Sequence, residues 1–91
     1  MAKVILTIKL MPDSPEADLD AIQANADKII KEFGSEIGKV EIEPIAFGLK
    51  AIKLYLVLEE GKGSPDDLEE NLRAMDHVNS AETIDVRRAL G

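Results

Sequence analysis

The sequence contains no cysteine, which excludes disulfide bonds, thiolate zinc sites, iron–sulfur clusters and cysteine nucleophiles together. Histidine is nearly absent as well: with His77 alone, no Ser-His pair indicates an activated nucleophile, and a metal would depend on carboxylates. A single histidine near a predicted helix end is far more often a surface cap than a general base. We therefore expect no catalytic residue, no metal site and no cofactor.

Aromatic residues are scarce too: the chain has two Phe, one Tyr and no Trp. Proteins that bind RNA on an open β-sheet stack bases on several aromatic side chains. Here Phe33 falls in an apolar helical stripe, which leaves Tyr55 for the outer face of a strand. The net charge of −7 also disfavours phosphate backbones and anionic membranes. We expect no direct contact with nucleic acid or membrane; the acidity fits a partner with a basic face, or simply keeps the protein soluble.

Long apolar segments are missing. Lys9 and Pro12 interrupt the apolar start of the chain, and no segment approaches the roughly 18 apolar residues of a membrane span. The chain has 91 residues, 45% of them apolar, which suits one globular domain. We expect a single domain over residues 1–91 of a cytoplasmic protein.

Apolar and polar residues alternate in four segments, and this period of two predicts β-strands with one face toward a core. In the last segment Ile84 and Val86 are predicted to point inward, which puts Arg88 in phase with the buried face and Arg87 with the other. Strands with one polar face predict an antiparallel sheet covered on one side. The predicted strands cover residues 3–10, 39–43, 49–59 and 83–87.

Two segments between the strands carry apolar residues at spacings of three and four, as amphipathic helices do. Each follows a Ser-Pro pair, at residues 14–15 and 64–65, in which the serine can cap the helix and the proline suits its first position. Gly34 supplies a left-handed residue to end the first helix. The order β-α-β-β-α-β predicts an α+β, ferredoxin-like sandwich with a four-stranded antiparallel sheet and both helices on one face. The apolar stripes are Leu19, Ile22, Ala26, Ile29, Ile30 and Phe33, then Leu68, Leu72 and Met75.

Two features need more than the fold to explain them. The connection at residues 44–48 carries Ile45 and Phe47, where a hairpin loop could be entirely polar. Ile45 could fold back as a plug at the edge of the sandwich, whereas Phe47, beside a flexible glycine, could be an exposed anchor for a partner protein. The other feature is Arg87-Arg88 near the end of an acidic chain. Adjacent strand residues point to opposite faces, so one arginine should be able to reach a partner, although ordinary surface arginines are equally consistent with this pattern.

The residues around Phe47 resemble the motif of a known family. The stretch PIAFGLKAIKL at residues 44–54 is similar to the signature P-[IV]-[AG]-[FY]-G-[IL]-K-x-[IL] of the elongation factor 1-beta exchange domains. KLMPDSP at residues 9–15 and TIDVRRAL at residues 83–90 look like the archaeal members. The resemblance therefore extends over essentially the whole chain and indicates the archaeal form of this family.

The resemblance implies a ferredoxin-like exchange domain that docks on the GTPase elongation factor 1-alpha and promotes GDP release and GTP loading. It implies no covalent chemistry and no nucleotide bound by the domain itself. In eukaryotic members a lysine next to the C-terminal residue enters the magnesium site of the GTPase, whereas here the nearest cations are two arginines, of which the second is closer to that place. The residues expected to bind the partner are Ile45, Phe47, Gly48, Lys50, Arg87 and Arg88.

The pattern of residues also leaves a second function open. A small ligand-sensing or regulatory domain of the same fold could pair chains through an open sheet edge. A GDP-release assay with the loaded elongation factor distinguishes this alternative from an exchange factor.

Overall fold

The computed structural model describes residues 3–59 and 65–89. These residues form one antiparallel sheet with the strand order β2-β3-β1-β4 and two helices, so the predicted β-α-β-β-α-β order and ferredoxin-like fold are confirmed. One turn of 3-10 helix, Ala46–Gly48, lies between the second and third strands. The elements are β1 (Lys3–Pro12), α1 (Leu19–Glu32), β2 (Glu36–Pro44), β3 (Lys50–Glu59), α2 (Pro65–Arg73) and β4 (Val78–Ala89).

The core lies between both helices and one face of the sheet, as the alternation predicts. Every second residue of β1 and β3 points into it, and the predicted helical stripes fill the space above. Within residues 3–59 and 65–89, no element covers the opposite sheet face, which we call the open face. The fully buried large side chains are Leu6, Ile8, Leu10, Ile30, Ile52, Leu54, Leu56, Leu68 and Leu72.

Helix α1 begins later than the first Ser-Pro pair predicts. Ser14 Oγ accepts a hydrogen bond from the backbone N–H of Glu16 at 3.0 Å, which makes a short turn instead of a helix cap. The N-cap is Asp18, whose carboxylate accepts from the backbone N–H of Ala21 at 3.2 Å. Asp caps a helix as well as Ser does. The first helical residue is therefore Leu19, and the predicted start is wrong by about one turn.

The end of α1 follows the prediction, because Gly34 adopts a left-handed φ of 93° directly after the C-cap residue Phe33. The second predicted cap, Ser64, lies outside the described residues. No helix in the described part of the chain has the length and apolar character needed to cross a membrane.

Strand β4 contains a bulge that the alternation pattern does not predict. Thr7 of β1 pairs with Asp85, but the next residue, Ile8, pairs with Thr83, so Ile84 is an extra residue in β4. A bulge leaves one residue unpaired and turns its side chain away from the regular alternation. Ile84 lies beside Thr7 and Asp85 on the open face and is 45% exposed, so the prediction that it points inward is wrong.

Beyond the bulge the alternation resumes. Val86 pairs with the buried Leu6 and therefore lies on the helical side, but it is 60% exposed because β4 is an edge strand. Arg87 then lies on the open face and Arg88 on the helical side, the phases that the sequence predicts.

Candidate functional site

The loop between β2 and β3 presents an aromatic side chain to solvent. Pro44 and Lys50 form the last pair of the two strands, and the backbone N–H of Ile45 donates to the carbonyl of Leu49 at 2.7 Å, which closes the loop. At its tip the side chain of Phe47 is 93% exposed. The predicted exposure of Phe47 is thus confirmed.

The backbone at Phe47 is strained. Its φ of 63° and ψ of 29° lie in the left-handed region, which costs a non-glycine residue about 1–2 kcal/mol and is unusual for a bulky side chain. An exposed ring repays little of this cost within the folded protein. Strained residues of this kind cluster at binding sites, because the surrounding structure holds them there at a cost in stability.

The neighbours of Phe47 have distinct surroundings. Gly48 also has a positive φ, 78°, and a methyl group added to it would meet Pro15 at an ordinary 3.7 Å, so the backbone angle and not the space favours glycine. Ile45 is half-buried, consistent with a plug at the base of the loop, and Lys50 is exposed.

The two C-terminal arginines lie at the other end of the sheet. Near the loop, Leu10 of β1 pairs with Ile52, whereas Val4 of β1 pairs with Arg88. Leu10 and Val4 are six residues apart, which is about 20 Å along a strand, and the loop extends further. The structure therefore does not bring the predicted site residues together: one group surrounds Phe47 at one end of the sheet, and the arginines form the other.

Both arginine side chains are exposed. Arg87 Nε donates to Asp85 Oδ2 at 2.9 Å, across one residue of β4 on the open face. An ion pair this exposed contributes little to stability. Asp85 can therefore orient Arg87 without preventing it from meeting another anion.

The open face between β2 and β3 carries a polar cluster centred on Tyr55. Its hydroxyl donates to Glu41 Oε1 at 2.6 Å, and the Lys39 ammonium lies 5.3 Å from the ring centre and 3.3 Å from Glu41 Oε2. The hydrogen bond from Tyr55, followed by Lys39, lowers the pKa of Glu41 below its usual 4.5. The same hydrogen bond raises the pKa of Tyr55 above its usual 10.0.

A second ion pair continues this cluster toward β1. The Lys53 ammonium donates to Glu43, which lowers the pKa of Glu43 and raises that of Lys53, and Lys9 lies 3.9 Å from the other carboxylate oxygen. Sequence reasoning did not find these partners, because cross-strand pairs require the register of the strands. The charges that recur at every second residue of β2, Lys39, Glu41 and Glu43, were the sequence signal that could have indicated these pairs.

Metal ligation has no candidate in the described part of the chain: no three His, Asp or Glu side chains there converge closely enough to hold an ion. The predicted site residues instead supply two exposed groups: the strained aromatic Phe47 and the cations Arg87 and Arg88. Both are suited to contact another macromolecule.

Solved structures of the same fold are similar to this chain. The crystal structure of the ACT domain from GTP pyrophosphokinase of Chlorobium tepidum has a TM-score of 0.62 at 14% identity, covering 90% of this chain and 99% of that one. The solution structure of the same domain has a TM-score of 0.59 at 15% identity, covering 90% of this chain and 86% of that one. At such identity the likeness shows the fold alone.

Curated relatives match nearly the whole chain. Elongation factor 1-beta of Methanothermobacter thermautotrophicus and that of Methanobrevibacter smithii are each 40% identical over 90 residues, covering 99% of this chain and 100% of each relative. The Methanococcus vannielii protein of the same name is 37% identical over 86 residues, covering 94% and 97%. Residues 5–89 match the family of the EF-1 guanine nucleotide exchange domain. The chain belongs to this family and is a guanine nucleotide exchange factor of translation elongation.

Proposed function

We propose that residues 1–91 act as one exchange domain that docks on elongation factor 1-alpha and accelerates GDP release through both ends of its sheet, so that GTP can load. An exchange domain implies a GTPase partner, and the curated relatives carry the name of the beta factor. The exchange proceeds without covalent chemistry by this chain. The observation that carries the proposal is Phe47, exposed to 93% in a strained backbone conformation.

Phe47 supplies docking energy at one end. Burying a Phe side chain against a partner is worth about 1.5–3 kcal/mol relative to leaving it in water. The closed loop already holds its backbone in one conformation, which lowers the cost of ordering on binding. An exposed anchor of this kind lowers the stability of the isolated protein, and binding in the complex offsets that loss.

The arginines supply charge at the other end. In a GTPase, Mg²⁺ bridges the β-phosphate of GDP to the protein. A guanidinium placed near that site competes with Mg²⁺ for the same electrostatic interactions. It does not, however, supply the octahedral coordination that the metal provides. Arg88 is the first candidate, because it lies closer to the place of the lysine in eukaryotic members, and Arg87 is the second.

Exchange then follows from linkage. If this protein binds the GTPase more tightly without GDP than with it, GDP affinity falls by the same factor. A thousandfold weakening needs about 4 kcal/mol of differential contact. One buried aromatic and one desolvated arginine provide energy of that order. Because the two groups are at least about 20 Å apart, they must contact two separate regions of the GTPase.

The test compares Phe47→Ala with the parent in a GDP-release assay on elongation factor 1-alpha loaded with fluorescent GDP. We expect release at subsaturating factor to slow by about tenfold or more, with a change in unfolding free energy within about 0.5 kcal/mol. Ile42→Ala, which truncates an exposed apolar residue of β2 outside the loop, is the matched control and should keep the parent rate per folded molecule. Release at the parent rate by Phe47→Ala would contradict the proposal, because the exposed ring would then contribute nothing to docking.

A further inference from the structure

A carboxylate of α2 is tied to the backbone of β4 next to the bulge. Glu69 Oε2 accepts a hydrogen bond from the backbone N–H of Thr83 at 2.6 Å. Thr83 is the last residue before the extra Ile84, and its own hydroxyl is buried with no hydrogen-bond partner among the described residues. A weaker second tie runs from Arg73 Nη2 to the carbonyl of Ala81 at 3.3 Å. Of these two charged side chains of α2, Glu69 thus makes the shorter contact and the one next to the bulge.

The bulge decides which side of the sheet each C-terminal arginine occupies. If β4 paired with β1 without an extra residue, every position after Thr83 would shift by one and change faces. Asp85 would then lie opposite the buried Leu6, Arg87 would move to the helical side, and Arg88 would move to the open face. The observed arrangement of the two cations therefore depends on the bulge.

We propose that Glu69 is a positioning residue for nucleotide exchange: by accepting the Thr83 amide it holds the bulge that places Arg87 on the open face and Arg88 on the helical side. This inference rests on the proposed function of the arginines. Glu69 acts through the strand, and no contact of its own with the GTPase is needed.

The chemistry of the contact suits this role. A bulge disrupts the ladder and leaves a backbone group to be satisfied elsewhere. A carboxylate is an acceptor with full charge, so its bond to an amide is stronger than one between neutral groups. The helix fixes the position of Glu69, since Leu68 and Leu72 on either side are fully buried in the core.

The structural half of the proposal is tested by NMR on Glu69→Ala, Glu69→Gln and the matched control Glu70→Ala, which truncates the exposed neighbour. In Glu69→Ala we expect hydrogen-exchange protection of the Thr83 amide to fall by about tenfold or more. The cross-strand contact between Leu6 and Val86 should weaken as a contact between Leu6 and Asp85 gains population. Glu69→Gln keeps an acceptor oxygen without the charge, so it should keep the parent register with Thr83 protection between that of the parent and that of Glu69→Ala. Unchanged Thr83 protection and register in Glu69→Ala would overturn the proposal.

The functional half uses a double-mutant cycle with Arg87→Ala/Arg88→Ala in the GDP-release assay. Glu69→Ala should slow release severalfold in the parent and cause little further change without the arginines, since it acts through them. Equal slowing in both backgrounds would overturn the proposal, because Glu69 would then act independently of the arginines. If the double arginine variant matches the parent, the proposed function of the arginines fails. The register of β4 on β1, observed by NMR, then decides separately whether Glu69 holds the bulge.

Discussion

Phe47 combines two properties that stability alone disfavours: a ring in solvent and a left-handed backbone. Glycine adopts this conformation at no steric cost, whereas any residue with a Cβ strains it. The sequence predicted the exposure of Phe47 from its place beside Gly48 in a loop. It did not predict the strain, because a preference for glycine at one position says nothing about the φ of its neighbour.

We expect Phe47→Gly to be about 1 kcal/mol more stable than Phe47→Ala, although both remove the ring. Alanine keeps the Cβ that strains the left-handed backbone, and glycine removes it. Urea-unfolding midpoints of the two variants measure the difference. The matched pair His77→Gly and His77→Ala, at a second non-glycine residue of positive φ, 65°, among the described residues, should show the same order. An alanine variant at Phe47 as stable as the glycine variant would mean that the loop relaxes and holds no strain.

The arginines are predicted to act by charge at the magnesium site of the GTPase. Replacing both by alanine should change the unfolding free energy by less than about 0.5 kcal/mol, because both side chains are exposed. GDP release should fall, most visibly at high Mg²⁺, and Arg88→Ala should account for more of the fall than Arg87→Ala. A magnesium series with the single and double variants measures this. Parent-like release by the double variant at every Mg²⁺ concentration contradicts the competition mechanism.

At the scale of elements, the sequence predicted which segments form strands and helices but missed the start of α1, the bulge in β4 and the early starts of two strands. Strand β2 begins at Glu36 and β4 at Val78, before the predicted residues 39 and 83. The alternation of β1 and β3 and the helical stripes specify the order and the buried faces, because one sheet face and two helices can share a single core. The start of α1 was misplaced because Ser14 and Asp18 are both good caps, and the choice depends on where β1 ends. The bulge at Ile84 was missed because it depends on contacts with α2 and β1.

The Tyr55 cluster joins β2 to β3 and predicts a specific dependence of stability on pH. The folded protein holds the pKa of Glu41 below the usual 4.5, so the unfolded chain binds more protons as the solution is acidified. The stabilisation is complete above that value and is lost as the pH falls through the lower folded pKa. Tyr55→Phe removes the largest cause of the shift. The loss of stability between about pH 5 and pH 3 should therefore be shallower in this variant than in the parent.

Urea-unfolding curves across this range measure the slope. Glu41→Gln removes the titrating carboxyl itself and should flatten the slope further, because Lys39 still lowers the pKa of Glu41 in Tyr55→Phe; the double variant should match Glu41→Gln. Slopes that are equal in Tyr55→Phe and the parent would show that the hydrogen bond does not hold the carboxylate in its charged form.

The whole molecule measures 42 × 21 × 18 Å, with the candidate groups at opposite ends of one sheet. The sequence identified these residues by type and by resemblance, yet it gave no distance between them, since distance depends on the strand order. The four-stranded sheet lies between them. Changes at sites so far apart, with no residue of this chain contacting both, should affect the free energy of activation almost additively.

The central claim is that this chain speeds GDP release from elongation factor 1-alpha by using both ends at once. The most direct measurement is the release rate of fluorescent GDP with no factor, the parent, Phe47→Ala, the double arginine variant and all three changes combined. The parent should accelerate release, and removing either end alone should reduce the acceleration by some factor. In the combined variant the acceleration should fall by the product of those two factors. A parent that leaves the rate at its value without factor, or a combined variant as fast as the parent, would contradict the account.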